Sequence, residues 1–347
     1  MIHLGIIGCG WVVSYAHVKA LQRLTDIVKV VALADPSPGR NELAGEELGV
    51  PPSHWYADYS EMIEQEELDC VDLALPHFLH EPITIDCVQH GLHIFSDKPL
   101  ATSLQSADRI LKAVEQARVI FGIAHNYLYH SVYPRSLELI AEDRIGRPFF
   151  IRHESCGGDH NIGAESYDPD WRIRSRHAGG GVLLDLGYHN IYTAEALMGS
   201  PVESVSGRVG TFATNSEVDD TAAALLYHAN GGVTSVQVSR AVKGTGASVL
   251  EVHGTKGSLR CWEIGDTSLE IFENSVGEWK PQSVTAGMLP DSFFGTLHAF
   301  FTAVEGNETP RLGAAAARHN LAVIEAIYRA SAENSVIRVS QVGHRNH

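Results

Sequence analysis

Residues 2–13 read IHLGIIGCGWVV. The apolar run to Ile7 has the length and composition of a short buried strand, and VVSYAHVKAL after it reads as a helix. Between them Gly8 permits a tight turn, and Gly10 lets a pyrophosphate come close to the backbone. The helix N-terminus then faces the phosphates. The third position of this fingerprint calls for Gly or Ala, but the chain has Val13, which is expected to hold helix and strand slightly farther apart. A G-x-G alone is a weak sign, since glycine turns occur in unrelated α/β proteins. The context strengthens it. A second apolar run, VKVVALA (28–34), ends at Asp35, roughly 20 residues past the motif, where a ribose-binding acid belongs.

Outward from this stretch the alternation continues. CVDLALP (70–76), HIFS (93–96) and VIFGIA (119–124) are further apolar runs with helix-like segments between them. The clearest helix is 102–117. Thr102 or Ser103 can cap it, and Ala107, Ile110, Leu111 and Val114 share one face. Continuously apolar strands alternating with helices imply a parallel sheet covered on both faces. The chain therefore opens with a doubly wound Rossmann domain over 1–124.

Ligands of such sheets sit at the carboxyl ends of the strands. The candidate cofactor contacts are thus Gly8, Gly10, Trp11 and Val12 in the turn, with Asp35 and Arg40 near the second strand end. Pro76, His77 and His80 come from LPHFLHEP (75–82), and Asp97 and Lys98 from FSDKPLA (95–101). Asp35 favours NAD over NADP by accepting ribose hydroxyls, whereas Ser37 and Arg40 are able to hold a 2′-phosphate. The proline after Lys98 restricts its backbone, so a rigid ammonium at a ligand crevice and a plain charged turn both fit.

After 124 the pattern changes. A helical stretch near 133–143 precedes β-rich runs at 148–154, 203–211, 221–228, 233–239, 247–253 and 258–263. Turn signals such as NGG (230–232) separate several of them. Two late helices, over 293–304 and 314–332, and a short strand at 336–339 complete the chain. This predicts a second domain, 125–347, built on a large, mostly antiparallel open sheet that binds substrate and supports oligomerisation.

The net charge of −16 makes nucleic acid and anionic membranes poor partners. No apolar run is long enough to span a bilayer. Five scattered cysteines without C-x-x-C argue against a disulfide framework and point to a reducing, cytoplasmic setting. Nineteen histidines invite a metal reading, but no H-E-x-x-H or Cys/His spacing supports one, so no metal is expected. For His77, His80, His125, His153 and His177 the expectation is polar pocket lining or surface exposure.

Residues 179–190, GGGVLLDLGYHN, place an acid and an imidazole inside an apolar run. On a helix over 182–198, Asp185 and His189 share a face one turn apart. Gly187 leaves room between them, and the triple glycine offers a flexible or close-approach entry. A core histidine tied to a carboxylate is the structural alternative. A histidine near its ordinary pKa suits removal of a hydroxyl proton during hydride transfer. A lysine nearby stabilises the developing alkoxide.

The chain resembles the Gfo/Idh/MocA oxidoreductases, a family that includes glucose–fructose oxidoreductase and inositol dehydrogenase. GIIGCGWVVSYAHVKAL matches the family's cofactor turn and first helix, with His17 one residue later than usual. HIFSDKPLA matches its E-K-P motif with Asp97 for Glu, and WRIRSRHAGGGVLLDLGYHNI matches its W-R and G-G-G-x-x-x-D-x-G-x-H block. The resemblance implies Lys98, Asp185 and His189 as the catalytic set. It places Asn126 beside nicotinamide and substrate, and implies a dimer or tetramer. Asn126, His160, Trp171 and Arg172 join the catalytic set as substrate contacts. The family often carries an acid three residues after the histidine; here that residue is Tyr192. The expected activity is NAD-dependent oxidation or reduction of a secondary hydroxyl in a sugar, sugar derivative or polyol. Two other classes remain open: a redox-neutral glycosidase or lyase with tightly held NAD, and a non-catalytic dinucleotide-binding regulator.

Overall fold

Strands form where the early apolar runs fall: β1 (Ile2–Ile7), β2 (Val28–Ala34), β3 (Trp55–Tyr56), β4 (Cys70–Leu73), β5 (His93–Ser96) and β6 (Phe121–Ile123). They pair in parallel in the order β3-β2-β1-β4-β5-β6. This is the doubly wound sheet that the alternation implies. The structure is a computed structural model and describes residues 1–157, 169–243, 247–262, 268–284, 289–308 and 313–342.

The covering helices include α1 (Pro38–Leu48), α2 (His77–Gln89) and α3 (Leu104–Ala117). Pro76 stands at the N-cap of α2. Ser103 caps α3, its Oγ accepting the Ser106 N–H at 3.2 Å. Apolar residues of β1 and β2 pack with Phe293, Leu297, Phe300 and Phe301 of a late helix. A side chain at Gly122 of β6 would strike the Phe300 ring.

The chain divides into two compact units. The first takes Met1–Asn126, a short piece ending at Trp171, and Leu289–Arg318. The linear reading ends the first domain at 124, so the late helix belongs with the first unit in space and with the second half only in sequence.

The second unit starts at Tyr127 and contains α4 (Val132–Ala141) and α5 (Gly187–Met198). Its nine-stranded sheet consists of β7 (Pro148–Cys156), β8 (Val202–Gly210), β9 (Thr221–His228), β10 (Val233–Ser239), β11 (Ala247–Gly254), β12 (Gly257–Cys261), β13 (Leu269–Glu273), β14 (Trp279–Gln282) and β15 (Ile337–Arg338). The order is β14-β13-β12-β11-β7-β10-β9-β8-β15. Every pairing is antiparallel except β7 with β10. Ile151 of β7 and Leu250 and Val252 of β11 join Val132, Tyr133, Leu139 and Leu197 in one buried core. The late helices are α6 (Leu289–Gly306) and α7 (Ala314–Glu333).

Candidate active site

In the first unit the glycine turn is built as the fingerprint requires. Gly8 has φ +91°, and a Cβ there would collide with the Ala74 carbonyl oxygen. Its N–H donates to the Ala34 carbonyl at 2.8 Å, tying the turn to the end of β2. Gly10 has no heavy atom within 4 Å of where a Cβ would stand. A backbone surface left open beside a helix start suits a phosphate group.

Asp35 braces the same turn. One carboxylate oxygen accepts the Cys9 N–H at 2.9 Å and the other accepts the Ser37 N–H at 2.8 Å. Arg40 lies 3.7 Å from the second oxygen, and Asp35 is only 4% exposed. Burial, with Asp35 close by, pushes the Cys9 thiol well above the usual range, so it is no nucleophile.

Past the turn, Val13–His17 winds as a π-helix. Val13 is fully buried there. A π turn takes one more residue per turn than an α-helix does, which fits the late position of His17 in the motif. His17 is fully buried, and its Nδ1 is 2.7 Å from the Asp72 carboxylate of β4. Burial opposes charge on the imidazole, but Asp72 outweighs it and the His17 pKa is raised.

The remaining first-unit candidates divide. His80 is fully buried, with Nε2 2.9 Å from the Leu75 carbonyl, and burial lowers its pKa. It fastens the turn between β4 and α2. His77 is also buried and meets the Trp171 ring edge-on, with centroids 4.7 Å apart. Lys98 is half-buried; its N–H donates to Asp97 at 2.8 Å, and the Lys98–Pro99 peptide is cis. Asn126 is buried and donates to Ser292 Oγ at 3.0 Å.

In the second unit, residues 182–198 form two helices where one was expected. A short helix, Val182–Asp185, is followed by α5, with Leu186 between them. The glycines before it answer to packing. A Cβ at Gly181 would overlap the Asp219 backbone, and one at Gly180 would overlap the Tyr328 hydroxyl. Asp219 accepts the N–H groups of Gly181 at 2.7 Å and Leu183 at 2.9 Å, and Tyr328 donates to it at 2.6 Å. Of the two expected readings, flexible or close-approach entry, the structure has close approach, at a tightly braced helix start. Gly187 likewise leaves no open room, since Leu183 and Val238 occupy the space beside it.

Asp185 is paired with two arginines, Arg172 at 3.2 Å and Arg240 at 2.5 Å. His189 has a different partner: its Nδ1 lies 2.8 Å from the Tyr192 hydroxyl. That hydroxyl also accepts the Tyr127 N–H at 3.1 Å. The Tyr127 ring lies flat on the imidazole, with centroids 4.1 Å apart and planes 16° from parallel. Motif spacing misses Tyr127, Tyr192 and Arg240 as components of this cluster. Tyr192 carried one signal, an aromatic residue standing where the family pattern often has an acid.

Two more histidines expected at a pocket or surface, besides His77 and His80, belong to the interior. His125 and His153 are buried, and burial depresses them to about 3 and about 4, so both stay neutral. His153 sits between the Tyr133 hydroxyl and Thr193 Oγ1, at 3.2 and 3.4 Å. His160 lies outside the described residues. Among the described residues no three His, Cys, Asp or Glu side chains group to hold a metal ion.

Residues 2–125 match the family model described as an oxidoreductase family with an NAD-binding Rossmann fold, and residues 135–260 match the GFO/IDH/MocA C-terminal domain. The chain belongs to the Gfo/Idh/MocA oxidoreductase family. It is 25% identical over 316 residues to myo-inositol 2-dehydrogenase of Thermotoga maritima, covering 89% of this chain and 90% of that protein. It is 26% identical over 290 residues to 1,5-anhydro-D-fructose reductase of Ensifer adhaerens, covering 81% and 82%. A solved structure of levoglucosan dehydrogenase in complex with NADH shares the fold, with a TM-score of 0.88 over 98% of this chain and all of that one at 23% identity. As a Gfo/Idh/MocA enzyme, this chain is an oxidoreductase with an NAD-binding domain, and the open face at Gly10 suits that cofactor.

Proposed function

We propose that this enzyme transfers hydride between NAD and a secondary hydroxyl or its ketone in a sugar, sugar derivative or polyol. Bound NAD supplies the hydride acceptor and donor. Gly8, Gly10, Trp11 and Val12 hold its pyrophosphate, while Asp35 meets the adenosine ribose and favours NAD over NADP. In the oxidative direction the carbinol carbon loses hydride while the hydroxyl loses its proton. His189 takes that proton, and Lys98 stabilises the alkoxide as it forms. Asp185, with Arg172 and Arg240, orders the polar groups beside His189. Asn126, Trp171 and His160 complete the substrate contacts in this proposal.

The observation that carries the reading is the setting of His189. Its ring is stacked, its Nδ1 is bonded, and an Arg-paired carboxylate stands one turn before it. The names of the relatives, which act on polyols and sugar derivatives, support the substrate class. Five free cysteines suit a cytoplasmic enzyme. Exposed Leu225 of β9 and Trp262, just past β12, favour a homodimer or homotetramer.

The test is turnover of NAD with myo-inositol, levoglucosan and D-xylose by wild type and His189→Ala. The expected loss is on the order of a hundredfold to ten-thousandfold, the worth of a general base, measured on protein that thermal melts show to be folded. A His189→Ala protein that melts several degrees lower yet keeps its turnover overturns the assignment.

A further inference from the structure

His189 and Tyr192 are three residues apart on α5 and so share a face of the helix. The phenol oxygen is fixed from two sides: the Tyr127 N–H donates to it from outside the helix, and the imidazole Nδ1 meets it from within. Tyr127 then covers the imidazole with its own ring. One residue thus pins both the plane of the histidine and the group that holds its Nδ1.

We propose that Tyr192 is the positioning residue of the proton acceptor, holding Nδ1 of His189 with a neutral phenol so that Nε2 exchanges the substrate proton. This rests on the reading of His189 given above. The chemistry follows from hydrogen-bond capacity. A phenol has one O–H to give and two lone pairs to receive with, and one lone pair takes the Tyr127 N–H. It donates to a bare Nδ1, and it accepts from Nδ1–H when Nε2 is the basic nitrogen or when the imidazolium forms. The two tautomers therefore interchange without any movement of heavy atoms, and the same site serves oxidation and reduction.

The phenol stays neutral because burial holds Tyr192 well above the usual phenol range. A neutral acceptor stabilises the imidazolium less than a carboxylate in the same place would. Among the described residues, titratable groups face His189 from several elements. Tyr127 faces the ring, Tyr188 lies edge-on 6.4 Å away, and Asp185 one turn earlier carries Arg172 and Arg240. His153 and Tyr133 reach α5 through Thr193, whose hydroxyl donates to the His189 carbonyl. Both His153 and Tyr133 are held neutral by burial.

The experiment uses full-length protein with 15N-labelled histidine, the His189 signals being those missing from His189→Ala. Nitrogen shifts are followed against pH in wild type, Tyr192→Phe and Tyr192→Glu, with thermal melts as the check on folding. Tyr192→Phe is expected to change the Nδ1 shift and the tautomer ratio. Tyr192→Glu is expected to raise the His189 pKa by about one unit or more, as an adjacent opposite charge does. With myo-inositol or levoglucosan as probe, Tyr192→Phe lowers turnover about tenfold, the worth of one hydrogen bond, and leaves NAD affinity unchanged. Unchanged nitrogen shifts and pKa in both folded variants overturn the proposal, whatever the activity. A His189→Ala protein with full turnover, alongside shifted spectra in the Tyr192 variants, overturns the catalytic reading of His189 and leaves the Tyr192–His189 coupling standing.

Discussion

Two glycine-rich turns, each ahead of a helix and each braced by an aspartate, have opposite purposes. At 8–10 the chain keeps space open. Gly8 avoids its own backbone at Ala74, but nothing stands within 4 Å of a Cβ at Gly10. At 179–181 the space is full. Gly180 and Gly181 press against the Tyr328 hydroxyl and the Asp219 backbone. In the first turn Asp35 accepts the Cys9 N–H; in the second Asp219 accepts those of Gly181 and Leu183. Glycine in a motif therefore marks a close approach, and only the surroundings say whether the approaching atom belongs to a ligand or to the protein.

The sharpest way to break this comparison is to add a methyl group to each turn. Gly181→Ala drives a Cβ into the Asp219 backbone, which cannot swing away as a side chain tip would. The expected loss is about 3–4 kcal/mol of stability, a fall in melting temperature of roughly 10 °C, seen by thermal denaturation. A melt within 2 °C or so of wild type would mean that the second turn is not packed shut.

A smaller effect, read by pH, tests the residue beside that brace. Asp220, next to Asp219, accepts the N–H groups of Phe212, Ala213 and Thr214, and the Thr221 hydroxyl. Burial works against the charge, yet these donors bring its pKa down from the ordinary 3.8 to about 2. A carboxyl depressed on folding stabilises the protein above its unfolded pKa and loses that effect as pH falls through the folded value. Asp220→Asn should therefore cost about 2 kcal/mol in urea unfolding at pH 7, with the gap to wild type closing between pH 4 and pH 2. A gap that stays constant with pH would show that shape, not charge, is what Asp220 contributes.

The smallest effect on stability is expected at Gly10. Gly10→Ala meets open space, so the melt should move by no more than about 0.5 kcal/mol equivalent. NAD affinity should fall about tenfold, read by fluorescence titration, because the methyl group occupies the pyrophosphate's approach. Loss of stability with intact NAD binding would make the two turns alike.

How far the chain can be read without coordinates follows the same division. The strands 2–7, 28–34, 93–96, 221–228 and 233–239 lie where their apolar runs end, because burial of both faces or alternation of one leaves a local pattern. The two-residue β3 and the outer strands β13 and β14 escape, since short or edge strands have little pattern to show. Leu186 breaks the helix in the middle of a run that is periodic on both sides. At the candidate site, the spacing singles out His189 by an acid one turn away, but that acid pairs with Arg172 and Arg240, and the bonded partner of His189 is Tyr192 and its stacking partner Tyr127, 62 positions earlier in the chain. Contacts made by tertiary packing leave no spacing to read. His125 and His153 make the same point in reverse: polar letters near a motif became interior residues with depressed pKa values.

The wide turn at Val13–His17 has a consequence for anyone aligning this chain with its relatives. An extra residue in an ordinary α-helix rotates everything downstream by about 100° and would swing the buried face of Val18–Leu21 out of the core. A π turn takes up the surplus locally, so the phase of the helix is restored within one loop of the spiral. Removing one residue from this turn is then expected to leave the buried face of Val18–Leu21 in phase with the core.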